Sequence, residues 1–356
     1  MTESRIENVK KNLEKNQGLI ITGGANRFYF TGFESSAGTV FITKDNAYFL
    51  IDFRYIEKAK SVVKDLEVNL SVNPLSEVKA LCKKNSVDEV FVETYSMSVE
   101  SFKKFENALE GIKVLDDSKM DKLIEEMRSI KSKEELNAIV NAQKLTDETF
   151  TYILERIEAG RTEIEVMLDM EFYMRKLGSE GVAFDFIVVA GKNSSLPHGV
   201  PSNNIIKKGD FVTMDFGAVV DGYRSDMTRT VAVGEISEEQ KTVYNTVLKA
   251  QLEAFKAIKP GVVCTDVDKV ARNIIYSAGY EGCFGHGLGH SVGIEIHETP
   301  CFNTVCKTVA KEGMIITVEP GIYLENKFGV RIEDMAYITN DGAVSLTKSK
   351  KELIVL

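Results

Sequence analysis

Residues 212–234, VTMDFGAVVDGYRSDMTRTVAVG, decide the fold. Asp221-Gly222 is a two-residue turn signal of the kind that closes β-hairpins, and strand-like runs flank it on both sides. With those residues at the tip, Val220 faces Tyr223 and Gly217 faces Asp226. Asp215 lies two residues from Gly217, so both carboxylates point to one face. Diagonal cross-strand neighbours of this kind are roughly 7–8 Å apart. Two cations about 3.5–4 Å apart fit between such groups. Asp221 itself reads as turn chemistry only.

A second hairpin repeats the arrangement. IITVEPGIY (315–323) and GVRIEDMAYI (329–338) read as strands joined by a short loop, LENKFG. The centre of symmetry between Glu319 and Glu333 falls at Asn326, inside that loop, so the two glutamates face each other. Four carboxylates aimed from apolar strands repel one another unless something positive lies between them. A single aspartate on a strand is ordinarily a turn or surface residue. Two hairpins that each aim a carboxylate pair are not ordinary.

The chain holds four histidines, all beside these stretches: His198 in SLPHGV, His286 and His290 in GHGLGH, and His297 in IHETP. Gly285, Gly287 and Gly289 preclude a zinc-binding helix and permit close backbone approach. His290 is the candidate nitrogen ligand. His198 and His297 are candidates for a supporting or substrate-facing role, and His286 serves either such a role or packing alone.

Elsewhere the reading is organisational. At 356 residues the chain accommodates two domains, and 44% hydrophobic composition is ordinary for a soluble globular protein. A net charge of −9 argues against general nucleic-acid binding. No apolar run is long enough for a membrane span, and the start, MTESRIENVKKNLEKNQ, lacks a signal-peptide core. Five cysteines without CxxC spacing suit free thiols in a reducing cytoplasm. Before residue 115, helical runs such as LSEVKALCKK alternate with strand-like runs such as GLIITG and EVFVE, and TVFIT-KDNA-YFLI reads as a hairpin. These predict an α/β N-terminal domain over 1–120 and a catalytic domain over 121–356, with the charged run 118–139 as a linker entering a helix.

The second part suggests an internal duplication. EAGRTEIEVMLDMEFYMRKLG and KPGVVCTDVDKVARNIIYSAG share a glycine, a threonine N-cap, an amphipathic helix and a closing glycine. Thr162 with Glu165 reads as a capping box and Thr265 with Asp268 as a weaker one. Each copy leads through a histidine-bearing stretch into one carboxylate hairpin. Two α+β halves around a cleft follow.

As an ordered set, DFGAVVDGYRSDMTRT, GHGLGHSVGIEIHETP, ITVEPGIY and GVRIED resemble the pita-bread (creatinase/aminopeptidase-like) metallopeptidases, the superfamily of methionine aminopeptidase, aminopeptidase P and prolidase. The resemblance is strong over about 120–350 and looser before it. It implies an α/β N-terminal domain and an α+β pita-bread catalytic domain with pseudo-two-fold duplication. It also maps the family's five metal ligands onto Asp215, Asp226, His290, Glu319 and Glu333, with none missing. Asp226 and Glu333 would contact both metals, Asp215 one, and His290 and Glu319 the other. A shell of four carboxylates and one imidazole suits harder ions such as Mn²⁺, with Co²⁺ and Zn²⁺ as alternatives. Two metals acidify a bridging water, and Glu319 serves as general base and acid. By the resemblance, His297 and His198 flank the scissile carbonyl, while Tyr323 and His286 stand near the same network. Arg331, two residues before Glu333, faces the same side and orients carboxylates or substrate.

Methionine aminopeptidases generally lack such an N-terminal domain, and creatinase lacks the full ligand set. The resemblance therefore implies the proline-specific branch, which hydrolyses an Xaa-Pro bond at a free N-terminus. Ordinary peptidases that need the amide N–H fail on this imide. The compact chain favours a prolidase (Xaa-Pro dipeptidase); aminopeptidase P, acting on longer Xaa-Pro peptides, is the alternative. A non-catalytic binding module is the reading from another class, and the complete ligand set opposes it. The resemblance further implies a homodimer taking proline-containing di- or oligopeptides.

Overall fold

The computed structural model describes residues 4–356, and its contacts divide the chain into two compact units, one through Arg128 and one over Ser129–Leu356. In the first unit, α1 (Arg5–Lys11), α2 (Gly24–Thr31), α3 (Ile56–Val62), α4 (Pro74–Lys84) and α5 (Val99–Ala108) alternate with six strands. These are β1 (Gln17–Ile21), β2 (Thr39–Thr43), β3 (Ala47–Ile51), β4 (Glu67–Leu70), β5 (Glu89–Phe91) and β6 (Lys113–Leu115). They form one mixed sheet in the order β4-β3-β2-β1-β5-β6. β2 and β3 form the expected hairpin, closed by the Thr43 amide donating to the Asn46 carbonyl.

The run expected to be a linker is helical on both sides of a short break. α6 (Lys119–Ser129) buries Met120 and Ile124, one turn apart, so its charges occupy an amphipathic helix and not a tether. α7 (Lys133–Leu154) starts at Ser132, which forms a capping box with Glu135.

The second unit runs twice through two helices, two strands, a small hairpin and a returning strand, with β13 and β18 added in the second half. α7 and α8 (Glu163–Lys176) precede β7 (Ile187–Ala190), β8 (Phe211–Phe216), a small hairpin of β9 (Val219–Val220) and β10 (Tyr223–Arg224), and β11 (Met227–Ala232). Then α9 (Glu238–Lys256) and α10 (Cys264–Ser277) precede β12 (Gly289–Ser291), β13 (Glu298–Phe302) and β14 (Ile315–Val318). A second small hairpin, β15 (Gly321–Leu324) and β16 (Phe328–Arg331), leads to β17 (Asp334–Ile338) and β18 (Ala343–Ser345). The sheets are ordered β11-β8-β7 and β13-β12-β14-β17-β18, each over its own apolar core.

Both hairpins keep the expected register. Val220 pairs with Tyr223, Phe216 with Met227 and Asp215 with Thr228, around a tip where Asp221 and Gly222 have φ of 50° and 75°. Left-handed dihedrals at both central residues are what a twist-matched tight turn requires. In the second hairpin Gly321 pairs with Arg331 and Val318 with Asp334, while Asn326 at the tip has φ of 58°. The hairpins are interrupted where Asp226, Glu319 and Glu333 sit, while Asp215 stays within β8. At Gly217 a Cβ would stand 1.9 Å from the Ser225 carbonyl oxygen, so only glycine lets the chains approach there.

The helix starts differ between the repeats. Thr162 caps α8 in a capping box with Glu165, as expected. Thr265 does not cap α10. The N-cap is Val263, and backbone carbonyls of Thr308 and Cys306 accept from the Cys264 and Thr265 amides. Those free amides are already satisfied by a neighbouring chain segment, so no side-chain cap is needed. Asp268 instead pairs with Arg272 at 2.8 Å and accepts from the Leu288 amide at 3.1 Å.

Arg229 on β11 locks the two repeats together from within the core. It is 1% exposed, bonds Asp334 at 2.8 Å and donates to the carbonyls of Lys350, Ser349, Thr228 and Glu333. Burial works to raise the Asp334 carboxyl, but Arg229 and Lys351 together hold it below the ordinary value. Arg229→Met would leave Asp334 with Lys351 as its one cation and several buried carbonyls without their donor. A loss of about 3–5 kcal/mol in stability is expected, read as a lowered denaturant midpoint. A midpoint unchanged from the parent chain would refute this.

Candidate metal centre

A cavity of about 870 Å³ opens in the second unit. Asp215, Asp226, His290, Glu319 and Glu333 line it together with His198, His286, His297 and Arg331. Residues up to 135 positions apart thus meet in one place, the acids among them brought there by the repeated hairpins. Asp215 is the last residue but one of β8, Asp226 precedes β11, Glu319 follows β14 and Glu333 precedes β17. β12 carries His290, and its close approach to β14 needs Gly289, where a Cβ would lie 1.9 Å from the Thr317 carbonyl oxygen.

One ligand atom each from Asp226, His290 and Glu333 lie within 4.8 Å of one another. His290 Nε2 is 3.6 Å from Asp226 Oδ2 and 3.5 Å from Glu319 Oε1. Its Nδ1 is 3.1 Å from the Ser291 carbonyl oxygen. Nδ1 therefore carries the proton, and the Nε2 lone pair faces carboxylate oxygens. Burial, with His297 nearby, pushes the His290 imidazole down to about 4, so the ring is neutral. A neutral lone pair aimed at two carboxylates is an acceptor set without a donor.

The carboxylates show the same shortage. Burial and then Glu333 push Asp226 well above the ordinary aspartate range, and burial and then Glu319 do the same to Glu333. Glu319 is pushed up to about 8 by burial and Asp215, against the opposing field of Arg331. Asp215 Oδ2 accepts from Arg331 at 2.7 Å, whereas its buried Oδ1 has no hydrogen-bond partner. Orphaned acceptors, raised carboxyl groups and one neutral imidazole on a shared cavity fit a cation site.

Around this cluster the side chains are held by a network. Arg331 donates from Nη2 to Asp215, from Nε to Thr228 Oγ1 at 2.9 Å, and from Nη1 to Tyr323 Oη at 3.0 Å and the Pro197 carbonyl at 3.1 Å. All three of its nitrogens thus serve the protein, which makes Arg331 an organiser of the carboxylates. Tyr323 stands behind Arg331 and not on the cavity wall. His286 Nε2 lies 2.9 Å from Tyr323 Oη and its Nδ1 2.8 Å from the Gly287 carbonyl, so His286 ends the Asp215–Arg331–Tyr323 chain. Burial and Arg331 push His286 down to about 4. His297 stacks edge-on against His290, ring centroids 4.4 Å apart.

Two threonines escaped the sequence reading. Thr228 Oγ1 donates to Glu333 Oε2 at 2.8 Å while accepting from Arg331. Thr317 Oγ1 bonds Glu319 Oε1 at 3.4 Å and accepts from the His290 amide at 3.0 Å. Each lies two residues along a strand from a site acid, so same-face periodicity is the signal that finds them.

Comparison with known proteins agrees with this geometry. Residues 137–340 match metallopeptidase family M24, and residues 5–130 match the creatinase/prolidase N-terminal domain. The chain is 37% identical to the Xaa-Pro dipeptidase of Pyrococcus furiosus over 358 residues, covering 99% of this chain and 100% of that protein. Among solved structures it is similar to an Xaa-Pro dipeptidase from Bacillus anthracis, with 39% identity, TM-score 0.95 and 99% of both chains covered. It is also similar to an X-Pro aminopeptidase from Thermotoga maritima, with 34% identity, TM-score 0.90, and 98% of this chain and 100% of that one covered. With an M24 match over most of the second unit and relatives aligned end to end, the chain belongs to metallopeptidase family M24, as a prolidase-like member with the creatinase/prolidase N-terminal domain.

Proposed function

We propose that this chain hydrolyses the Xaa-Pro bond of dipeptides at a free N-terminus, using two divalent cations, with Mn²⁺ the ion best suited to the donor set. The observation that carries the proposal is the cluster of four carboxylates and a neutral His290, with the buried Asp215 Oδ1 left without a partner. Asp215, Asp226, His290, Glu319 and Glu333 would hold the cations. When bound, such a pair supplies Lewis acidity and lowers the pKa of water at the site. Glu319, oriented by Thr317, takes a proton from the attacking water and returns it to the prolyl nitrogen, which must leave as a secondary amine. His198 and His297 donate to the oxygen of the scissile carbonyl as negative charge develops on it. In this reading residues 1–120 form the creatinase-like domain and 121–356 the catalytic domain. The protein acts as a cytoplasmic homodimer; among the described residues no helix is long and apolar enough to cross a membrane.

The test is a product assay on the Mn²⁺-loaded chain, comparing Xaa-Pro, Xaa-Pro-Yaa and Xaa-Ala. Cleavage of the dipeptide alone supports the proposal. Cleavage of the tripeptide at a comparable rate would make the chain an aminopeptidase P, the activity named for the Thermotoga relative. Silence on both with metal bound would leave a binding module.

His297→Ala separates the two shells of the site. The variant is expected to retain its metal content while kcat falls by about 10²–10³-fold, the scale of a lost oxyanion donor. Loss of metal on elemental analysis would move His297 among the ligands and overturn the division.

A further inference from the structure

His198 lies on the connection between β7 and β8, which runs from Gly191 to Asp210 and begins with a 3₁₀ turn over Gly191–Ser195. A connection of this length needs anchors to hold a side chain still. One anchor is known already: the Pro197 carbonyl accepts from Arg331 Nη1 at 3.1 Å. A second is Ser194 Oγ, which accepts from the Gly329 amide at 2.8 Å.

The third anchor is Glu163, the first residue of α8, whose side chain is 0% exposed. Its Oε1 accepts from the Ala190 amide at 2.7 Å, Asn193 Nδ2 at 3.0 Å and Asn204 Nδ2 at 2.9 Å. Its Oε2 accepts from the Ser202 amide at 3.0 Å and Ser202 Oγ at 2.7 Å. The donors come from both ends of the connection, before and after His198, and each of them is a neutral amide or hydroxyl. A buried carboxylate solvated by one loop alone costs stability unless every acceptor position is used. Here the charge is placed where it gathers that loop onto α8 and the last residue of β7. Pro197, His198, Gly199, Val200 and Pro201, between the two anchored ends, line the cavity.

We propose that Glu163 is a positioning residue for the hydrolysis: by drawing both ends of the 190–204 segment onto α8 it fixes where His198 stands beside the carboxylate cluster. The proposal rests on the function proposed above, in which His198 acts on the scissile carbonyl. Its chemical core is the acceptor-only nature of the carboxylate. Glutamine at 163 keeps the shape but turns one oxygen into a donor. That nitrogen would face either the Ser202 amide or the donors of Ala190, Asn193 and Asn204, and backbone N–H groups cannot turn to accept.

The experiment is a double-mutant cycle in the full-length Mn²⁺-loaded protein, with kcat and KM measured on an Xaa-Pro dipeptide for the parent, Glu163→Gln, His198→Ala and the double variant. Glu163→Gln is expected to lower kcat by about ten- to a hundredfold with KM little changed, the scale of a displaced catalytic group. The loss should go no further than that of His198→Ala, and the double variant should be as slow as His198→Ala alone. Hydrogen exchange on metal-free protein should show faster exchange confined to residues 190–204. Losses that multiply in the double variant, or a Glu163→Gln variant with parental kcat, would overturn the proposal. If Glu163→Gln fails to fold, Ser202→Ala and Asn204→Ala enter the same cycle, with smaller losses and the same criterion. A parent chain silent on Xaa-Pro, or His198→Ala at parental speed, would instead refute the underlying function and this inference with it.

Discussion

Replacing Asp226 by alanine should abolish divalent-metal loading and hydrolysis together, lowering kcat/KM by about a thousandfold or more. Asp226 is 3% exposed, sits at the interruption between β10 and β11, and presents Oδ2 3.6 Å from His290 Nε2. Its ligand atom belongs to the tight group with His290 and Glu333. Alanine removes an oxygen from the centre of that group, which is expected to weaken cation binding by the donors that remain. The same substitution has an opposite effect on the metal-free chain. It deletes one of several mutually repelling buried carboxyl groups, so Asp226→Ala with chelator should unfold at a higher temperature than the chelated parent. Elemental analysis, steady-state kinetics and thermal melts with and without chelator read all three quantities. An active, metal-replete Asp226→Ala protein would sink the ligand assignment.

Metal removal should also make stability fall as pH rises, the reverse of ordinary acid unfolding. Glu319 is pushed up to about 8 in the folded chain from an ordinary value of 4.5, by burial and Asp215, and Asp226 and Glu333 are raised in the same direction. A carboxyl group with a raised folded pKa keeps a proton that the unfolded chain has released. Between the two values the folded state binds more protons, so stability declines as pH increases through that window. For Glu319 the window runs from about 4.5 to about 8. Its contribution is on the order of 5 kcal/mol, or roughly 10–15 °C in melting temperature for a unit of this size. Bound cations favour the ionised carboxylates and should cancel the slope. The check is a set of melts from pH 5 to pH 8, chelated and Mn²⁺-loaded. Equal chelated stability across that range would contradict the burial of repelling acids.

The two predictions draw on features that differ in how far sequence foretells them. The hairpins were legible because a tight turn fixes register locally. Asp221-Gly222 and Asn326 take left-handed dihedrals at the tips, and period two then places Asp215, Asp226, Glu319 and Glu333 without reference to the rest of the chain. Thr162 was legible for the same reason, as a cap closed within four residues. Thr265 was misread because the amides it would have capped are met by Cys306 and Thr308, about forty residues away. The charged run before α7 reads as a linker on its polar residues alone, whereas Met120 and Ile124, one turn apart, give α6 a buried face within it.

By itself, then, the sequence determined the family, the two-part organisation of α/β and duplicated α+β elements, and the four acids and His290 as a set. Each depends on local turn chemistry, strand alternation or an ordered motif. Only the tertiary structure decided which donor each of those groups meets. It put Thr228 on Glu333, closed the Asp215–Arg331–Tyr323–His286 chain, buried Arg229 against Asp334, and wrapped the His198 segment around Glu163. A hydrogen bond between residues a hundred positions apart leaves no periodic trace in the chain. It exists because packing two repeats against each other removes water from those polar groups and obliges them to find partners in one another.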